Sequence, residues 1–271
     1  MTIVDYYDGM GEIIKDSGNP DVFKISPSSI QDFFIATPQY YREQVEGEER
    51  TFKGSTSTHL GTIVHHVAET TAFDPTAQVS AAEVAAYLTA IVDPEVDIEK
   101  ISELWPTMSS VLITNTTQNP DWDIIASEDF KFKKLNDDVY IGGTYDCLRK
   151  DPAVNDGVCV VDYKTAATKP QGISQKYRLQ AYAYAWMLRE SGVKVTSIEL
   201  CFVTRPTKTL PVRFFDFKEF YTDENHEYIG KILNLIAKSV SAYKHGDTEL
   251  KQLLAQDFNI TEKTASVAFP L

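Results

Sequence analysis

Ile141-Gly-Gly-Thr-Tyr-Asp146-Cys-Leu-Arg149 and Gly157-Val-Cys-Val-Val-Asp162-Tyr-Lys164-Thr165 are two runs rich in β-branched and aromatic residues. Between them, Asp151-Pro-Ala-Val-Asn-Asp-Gly157 is dense in turn formers, so the stretch reads as an antiparallel hairpin. A bend near Val154 leaves Asp146 and Asp162 equally far from it, and residues opposite one another in such a pair have Cβ atoms about 4.5–5.5 Å apart. Two carboxylates that close repel unless a proton or a cation lies between them. Side chains alternate along a strand, so Lys164 shares a face with Asp162 while Tyr163 points to the other. The hairpin thus offers two aspartates and a lysine around one point, which reads as a metal site with a lysine beside it.

The bland reading of Asp-x-Lys at a strand end is a solvated ion pair. The run before it argues otherwise. Val158-Cys-Val-Val161 is uninterrupted and apolar, as in a strand covered on both faces. A charge at the mouth of such a strand costs several kcal/mol unless it is paired or bound to metal.

The 271 residues suffice for a sizeable core, and the apolar and charged fractions are those of an ordinary soluble protein. No apolar run approaches the roughly 20 residues of a membrane span, so no membrane partner is expected. The first residues lack the basic and apolar regions of a signal peptide, and Cys147, Cys159 and Cys201 fall in expected strands without metal-type spacing. They read as buried small hydrophobes in a reducing, cytoplasmic compartment. Net charge is −13, but unevenly spread: residues 1–128 carry 6 Lys/Arg against 21 Asp/Glu, whereas residues 129–213 carry 14 against 9. The basic segment is the one that holds the hairpin. An acidic body around a basic strip suits a phosphate-backbone ligand held with weak non-specific affinity.

Outward from the hairpin, residues 1–24 read as an irregular lead-in. Ser26-Pro-Ser-Ser-Ile-Gln-Asp-Phe-Phe starts a helix that Thr37-Pro38 stops, and Gln39 begins another short helical piece. Helices are expected over about 57–69, 80–92 and 97–118, the last interrupted at Pro106. From Asp123 the period changes to two, with strands near 123–134, 139–149 and 157–165. A helix over about 174–190, strands near 195–204 and 209–217, and helices over about 218–244 and 247–256 follow, then a tail from Asn259. The order predicts an α/β sandwich with one central mixed sheet flanked by helices. It is read as one domain: an N-terminal helical part (about 26–120), a catalytic sheet and helix (about 121–217) and C-terminal helices (about 218–271).

His65 sits on an otherwise apolar helix, with Glu69 one turn on, so both could reach a metal, although a lone histidine there is more often a satisfied core residue. Gln180 and Tyr184 are likewise one turn apart on a largely apolar helix that Lys176 and Arg178 begin, and these two cations could meet phosphate. Gly142-Gly143 thins its strand so that something bulky can approach. There is no phosphate-binding glycine loop, no nucleophile elbow and no Cys-x-x-Cys pair.

In order, Gly61-Thr-Ile-Val-His65, Gly143-Thr-Tyr-Asp146, Val160-Val-Asp162-Tyr-Lys164-Thr165 and Gln180-Ala-Tyr-Ala-Tyr184 resemble the PD-(D/E)XK nuclease superfamily, and most its RecB-like branch. Ser26-Pro-Ser-Ser-Ile-Gln-Asp-Phe-Phe-Ile-Ala-Thr-Pro-Gln-Tyr-Tyr41 with Leu60–His65 is similar to the RecE-type, exodeoxyribonuclease VIII-like proteins of phages. The resemblance spans about residues 26–205. Two departures stand out: Tyr145 replaces the family's proline before Asp146, and Thr37 stands where some relatives place a cysteine of an iron–sulfur cluster, so no cluster is expected.

The resemblance implies Mg²⁺ or Mn²⁺ held by Asp146, Asp162, His65 and the backbone carbonyl of Tyr163, with Glu69 available to a second ion. It implies that Lys164 positions the attacking water and helps deprotonate it. Gln180 and Tyr184 would steady that cluster and, with Lys176 and Arg178, touch DNA. The expected function is a metal-dependent DNA exonuclease acting on linear ends in phage recombination or DNA processing, in a phage or bacterial host cytoplasm. A single-strand annealing recombinase as partner and a homo-oligomer are the implied assemblies. The alternatives are a single-strand or flap-directed nuclease, a catalytically silent DNA-binding or assembly subunit of the same fold, and a plain α/β protein in which Asp162 is exposed and far from Asp146.

Overall fold

The structure, a computed structural model, describes residues 3, 8–48, 54–74, 76–91 and 93–254. In chain order these form α1 (Met10–Ser17), β1 (Phe23–Ile25), a 3-10 turn (Pro27–Ser29), α2 (Ile30–Ile35), and α3 (Thr37–Tyr40) running into a π turn (Tyr41–Val45). Helices α4 (Thr56–Thr71), α5 (Ala81–Thr89) and α6 (Ile98–Asn115) follow, then strands β2 (Ile124–Lys134), β3 (Val139–Lys150) and β4 (Val158–Ala166). The chain continues through α7 (Gln175–Arg189), β5 (Val195–Thr204), β6 (Arg213–Phe220), α8 (Asp223–Lys244) and α9 (Thr248–Leu254). Side-chain oxygens start several helices by accepting an orphan N–H of the first turn: Ser55 from Thr58, Ser80 from Glu83, Asp97 from Lys100 and Ser174 from Tyr177.

The sheet is mixed, and β3 is its spine. Along one edge β3 pairs antiparallel with β2 from Tyr140 to Arg149. Along the other edge its start pairs parallel with β1 (Phe23↔Val139 to Ile25↔Ile141) and its end antiparallel with β4 (Cys147↔Val161 to Lys150↔Val158). Residues 142–146 lie between those two ladders. β4 then pairs parallel with β5, and β5 antiparallel with β6. This is the mixed sheet the sequence predicts. Helices cover it on both faces: α2, α7 and α8 share a core with Ile141, Tyr145, Val160 and Leu200, while α4 and α6 share the opposite core with Val161, Tyr163, Cys201 and Val203.

Three expectations are corrected. The lead-in before Lys24 holds a helix, α1, whose Ile13 is fully buried, and the start of β1. Pro106 does not interrupt α6: it lies on the exposed face, where the carbonyl it frees can meet water, while Ile101, Met108 and Leu112 hold both halves to one core. The last strand begins at Arg213 rather than near 209, because Thr207 to Leu210 close a turn (Thr207 N to Leu210 O, 2.8 Å) and Pro211 cannot donate to the ladder. The tail from Asn259 lies outside the described residues. Among the described residues no helix is long and apolar enough to cross a membrane.

Candidate active site

The ladder between β3 and β4 carries the register in which 147 faces 161. Asp146 and Asp162 are the next pair out, where the pairing stops and the strands part. There the Tyr163 amide donates to Asp146 Oδ2 at 2.6 Å instead of to the ladder. Ile141 and Tyr145 pack in the core under α7, yet Cys147, of the same parity, packs in the opposite one. The inward phase of β3 therefore changes between Tyr145 and Cys147, although its register with β2 runs unbroken past them.

Asp162 is only 2% exposed, so the surface-pair reading fails. Gln180 Nε2 donates to its Oδ1 at 3.2 Å, and Lys164 Nζ lies 2.6 Å from its Oδ2. Oδ2 is buried, and the Lys164 ammonium is its ion-pair partner. Lys164 Nζ also lies 5.1 Å from the centroid of the Tyr177 ring. His65, from α4, brings Nδ1 to 3.4 Å from Asp146 Oδ2, sets its ring edge-on to Tyr163 (centroids 6.1 Å apart), and bonds to the Tyr163 backbone. Two glycines make this approach possible. A Cβ at Gly61 would stand 3.3 Å from Thr165 Oγ1, so α4 closes on a β4 side chain; one at Gly143 would stand 2.9 Å from Pro27 Cδ and 3.0 Å from the Tyr184 hydroxyl.

Electrostatics follow from burial. It pushes the Asp162 carboxyl up to about 6, Lys164 pulling it back and Asp146 adding to the rise. Asp146 is also raised by burial, against Lys164 and the Tyr163 amide. Burial and the nearby Lys164 ammonium bring the His65 imidazole down to about 4, so it is neutral at pH 7, the form that can bind a metal. For Lys164, burial works against the charge, but Asp162 and Asp146 outweigh it and the net shift is upward.

Glu128 is the residue sequence reading missed. The β2–β3 register, in which 127 faces 147 and 129 faces 145, sets it across from Asp146. Its φ is 48°, the left-handed region that non-glycine residues seldom adopt. Burial raises its carboxyl to about 9, with Asp146, Glu69 and Asp162 adding to the rise. The equal-distance argument that pairs 146 with 162 pairs 128 with 146 about residue 137, and would have found it.

The other candidates divide. Glu69 Oε2 sits 3.4 Å from His66 Nδ1, and His66 in turn reaches Glu83 on α5 at 3.0 Å. Tyr184 is mostly buried beside Gly143. Arg178 is committed to Glu219 through two hydrogen bonds (2.9 and 2.7 Å), while Lys176 is half-exposed, 3.8 Å from Asp32.

The sequence matches the profile of the PD-(D/E)XK nuclease superfamily over residues 24–264. The chain belongs to that superfamily of nucleases, whose members generally use divalent metal ions. Among solved structures, a Eubacterium rectale protein assigned as an exonuclease shares the fold, at 14% identity and TM-score 0.55, over 92% of this chain and 88% of that one. LHK-Exo in complex with dAMP matches at 15% identity and TM-score 0.35, over 70% and 89% of the two chains. No curated protein is significantly similar in sequence.

Among the described residues no three His, Cys, Asp or Glu side chains close into a ligand cage. The donor set nevertheless fits a hard divalent ion. Mg²⁺ is typically held by one or two carboxylates while it keeps several waters, and here two carboxylates disfavoured as anions by burial face a neutral imidazole.

Proposed function

We propose that this chain is an Mg²⁺- or Mn²⁺-dependent DNA exonuclease of the RecB-like branch, near the RecE-type enzymes, that hydrolyses phosphodiesters at linear DNA ends. The observation that carries the reading is Asp162: a carboxylate buried at the mouth of β4, beside Asp146, with Lys164 and Gln180 on its two oxygens. A silent relative has no use for like charges packed together at the expense of desolvation. In this proposal Asp146, Asp162, His65 and the Tyr163 carbonyl hold the ion, and Glu128 joins Glu69 as an acidic side chain open to a second one. The ion, when bound, supplies charge that offsets the transition-state phosphate and the leaving oxygen.

The chain's own groups do the rest. Lys164, kept as an ammonium by the two aspartates, orients the attacking water and donates to a phosphate oxygen. Gln180 fixes the rotamer of Asp162, so that carboxylate keeps its aim. Tyr177 lies against the Lys164 ammonium and limits its freedom. Lys176, at the exposed start of α7, is better placed to meet phosphate than Arg178. A role in phage recombination beside an annealing protein, work in the host cytoplasm, and assembly as a homo-oligomer complete the proposal by family resemblance.

The test is degradation of end-labelled linear and closed circular DNA with Mg²⁺, with Mn²⁺ and with EDTA. Loss of linear but not circular DNA, abolished by EDTA and lowered at least 10²-fold by Asp162→Ala or Lys164→Ala, is the expected result. Undiminished cleavage by Asp162→Ala would sink the site.

A further inference from the structure

We infer that the hairpin joining β5 to β6, with the loop that leaves β4, is a cationic arm that holds the phosphodiester backbone of the DNA strand beside the reacting phosphate. This rests on the nuclease reading above and adds to it a second contact surface, distinct from the start of α7.

The observation is an imbalance of charge. Residues 164–213 carry nine Lys/Arg against two Asp/Glu, in a chain whose net charge is −13. Most of those cations are spoken for. Lys164 lies in the site, Arg178 pairs with Glu219, Arg189 with Asp223, Lys194 bonds the Asn155 carbonyl, and Lys176 stands near Asp32. Lys169, Arg205, Lys208 and Arg213 remain. Among the described residues none of the four has an ion-pair partner, although Lys169 lies 5.4 Å from the centroid of the Phe215 ring.

The sheet gathers them at one end. β4 and β5 run parallel with Lys164 beside Phe202 and Ala166 beside Thr204, and the Arg205 amide donates to the Ala166 carbonyl at 2.9 Å. Arg205 is therefore three residues past the level of Lys164 along the sheet, about 10 Å at the rise of a strand. Arg213 starts β6 opposite Thr204, and Lys169 reaches the same strand through Phe215. The turn that carries Lys208 is short and closed: Thr207 N donates to Leu210 O at 2.8 Å, and Thr207 Oγ1 accepts from Leu210 N at 3.0 Å. Pro206 and Pro211 flank it and fix their own φ. Three cations without an ion-pair partner, Arg205, Lys208 and Arg213, thus stand on this hairpin, and Lys169 on the loop that leaves β4 faces it, in a chain of net charge −13. A solvated surface would be expected to mix signs here as the rest of the molecule does.

The test is fluorescence anisotropy with an end-labelled duplex in EDTA, where nothing is cleaved, between 50 and 200 mM KCl. It compares wild type with R205Q/K208Q/R213Q and with K15Q/K100Q/K238Q, which removes the same charge from exposed sites on α1, α6 and α8. Each lost phosphate contact lowers the slope of log K against log salt by about 0.9. The Kd ratio between the two salts should shrink by about 40-fold in the arm variant for three contacts and stay at the wild-type value in the control. The single K208Q, at the tip of the turn and unable to disturb packing, should lose about one contact's worth of slope.

An arm variant with wild-type slope, a control with an equal loss, or a wild type that fails to bind at 50 mM overturns the arm. If the arm variant loses its slope as expected but wild type never cleaves in Mg²⁺ or Mn²⁺, the nuclease reading falls and the arm stands as a nucleic-acid-binding surface.

Discussion

At the scale of single residues, burial shifts the carboxyls of the site away from their values in water. Glu128 shows this best, with its left-handed backbone and a carboxyl raised to about 9 by burial and three acidic neighbours. Without a cation it carries a proton at pH 7, so Glu128→Gln keeps shape and charge and should leave metal-free thermal stability unchanged. If Glu128 ionises to support an ion, the same variant should lower kcat in Mg²⁺ by about 10-fold or more. Wild-type kcat would exclude it from the site. Gly143→Ala tests packing instead: the new Cβ would meet Pro27 and the Tyr184 hydroxyl, both tighter than ordinary contact. Loss of about 1–3 kcal/mol in urea unfolding is expected, and an unchanged midpoint would show that α7 can yield.

At the scale of elements, the hairpin that bears the site is clamped at the end away from it. Asp151, 3% exposed, accepts from Lys218, Ser197, Thr196 and the Ala153 amide, which ties the β3–β4 turn to β5 and β6. Burial pushes its carboxyl up, but these donors outweigh it and hold it below the usual range. A depressed carboxyl stabilises the fold above its unfolded value near 3.9, and that stability is lost as pH falls below it. Asp151→Asn should therefore cost about 2–3 kcal/mol at pH 7 and flatten the acid limb of a stability–pH curve. A variant that keeps the wild-type acid limb would show that other groups set it. Farther along the same strands, Arg149 and Glu199 pair across β4 with the Arg149 guanidinium 4.8 Å from the centroid of the Trp122 ring. With two buried ties below it, the hairpin parts only above Cys147, where the carboxylates are.

At the scale of the whole molecule, both layers meet at the site. His65 arrives from the α4–α6 side and Gln180 and Tyr184 from the α7 side, while the sheet supplies the aspartates and the lysine between them. A cation there would stabilise the whole fold. The Asp162 carboxyl, raised to about 6, adds the opposite pH dependence to Asp151: without metal its contribution is full below about 4 and is lost as pH rises through about 6. Mg²⁺ competes with that proton. At 100 times its Kd it should add about 2.7 kcal/mol, a rise in Tm of several degrees, at pH 8, and much less at pH 5. Differential scanning calorimetry checks this, and a Tm shift that is larger at pH 5 would overturn the assigned ligands.

Whatever depends on local periodicity and on counting from a bend can be read from the chain. Alternation and turn residues placed β2, β3, β4 and β5 within a residue or two, and equal distance from Val154 brought Asp146 to Asp162 in the register the ladder shows. The rest comes from long-range packing, whose contacts join segments with no shared local pattern. β1 continues the edge that β4 leaves, and Arg178 is taken up by Glu219 about forty residues on. Counting from a bend sets Glu128 opposite Asp146, but no composition signals its left-handed backbone angle. Pro106 is the reverse case, a strong local signal overruled because burial on either side of it holds one helix together. Pairing across a sheet and packing across layers are set by the free energy of the whole fold, so the hairpin was legible in the chain while its full company of side chains was not.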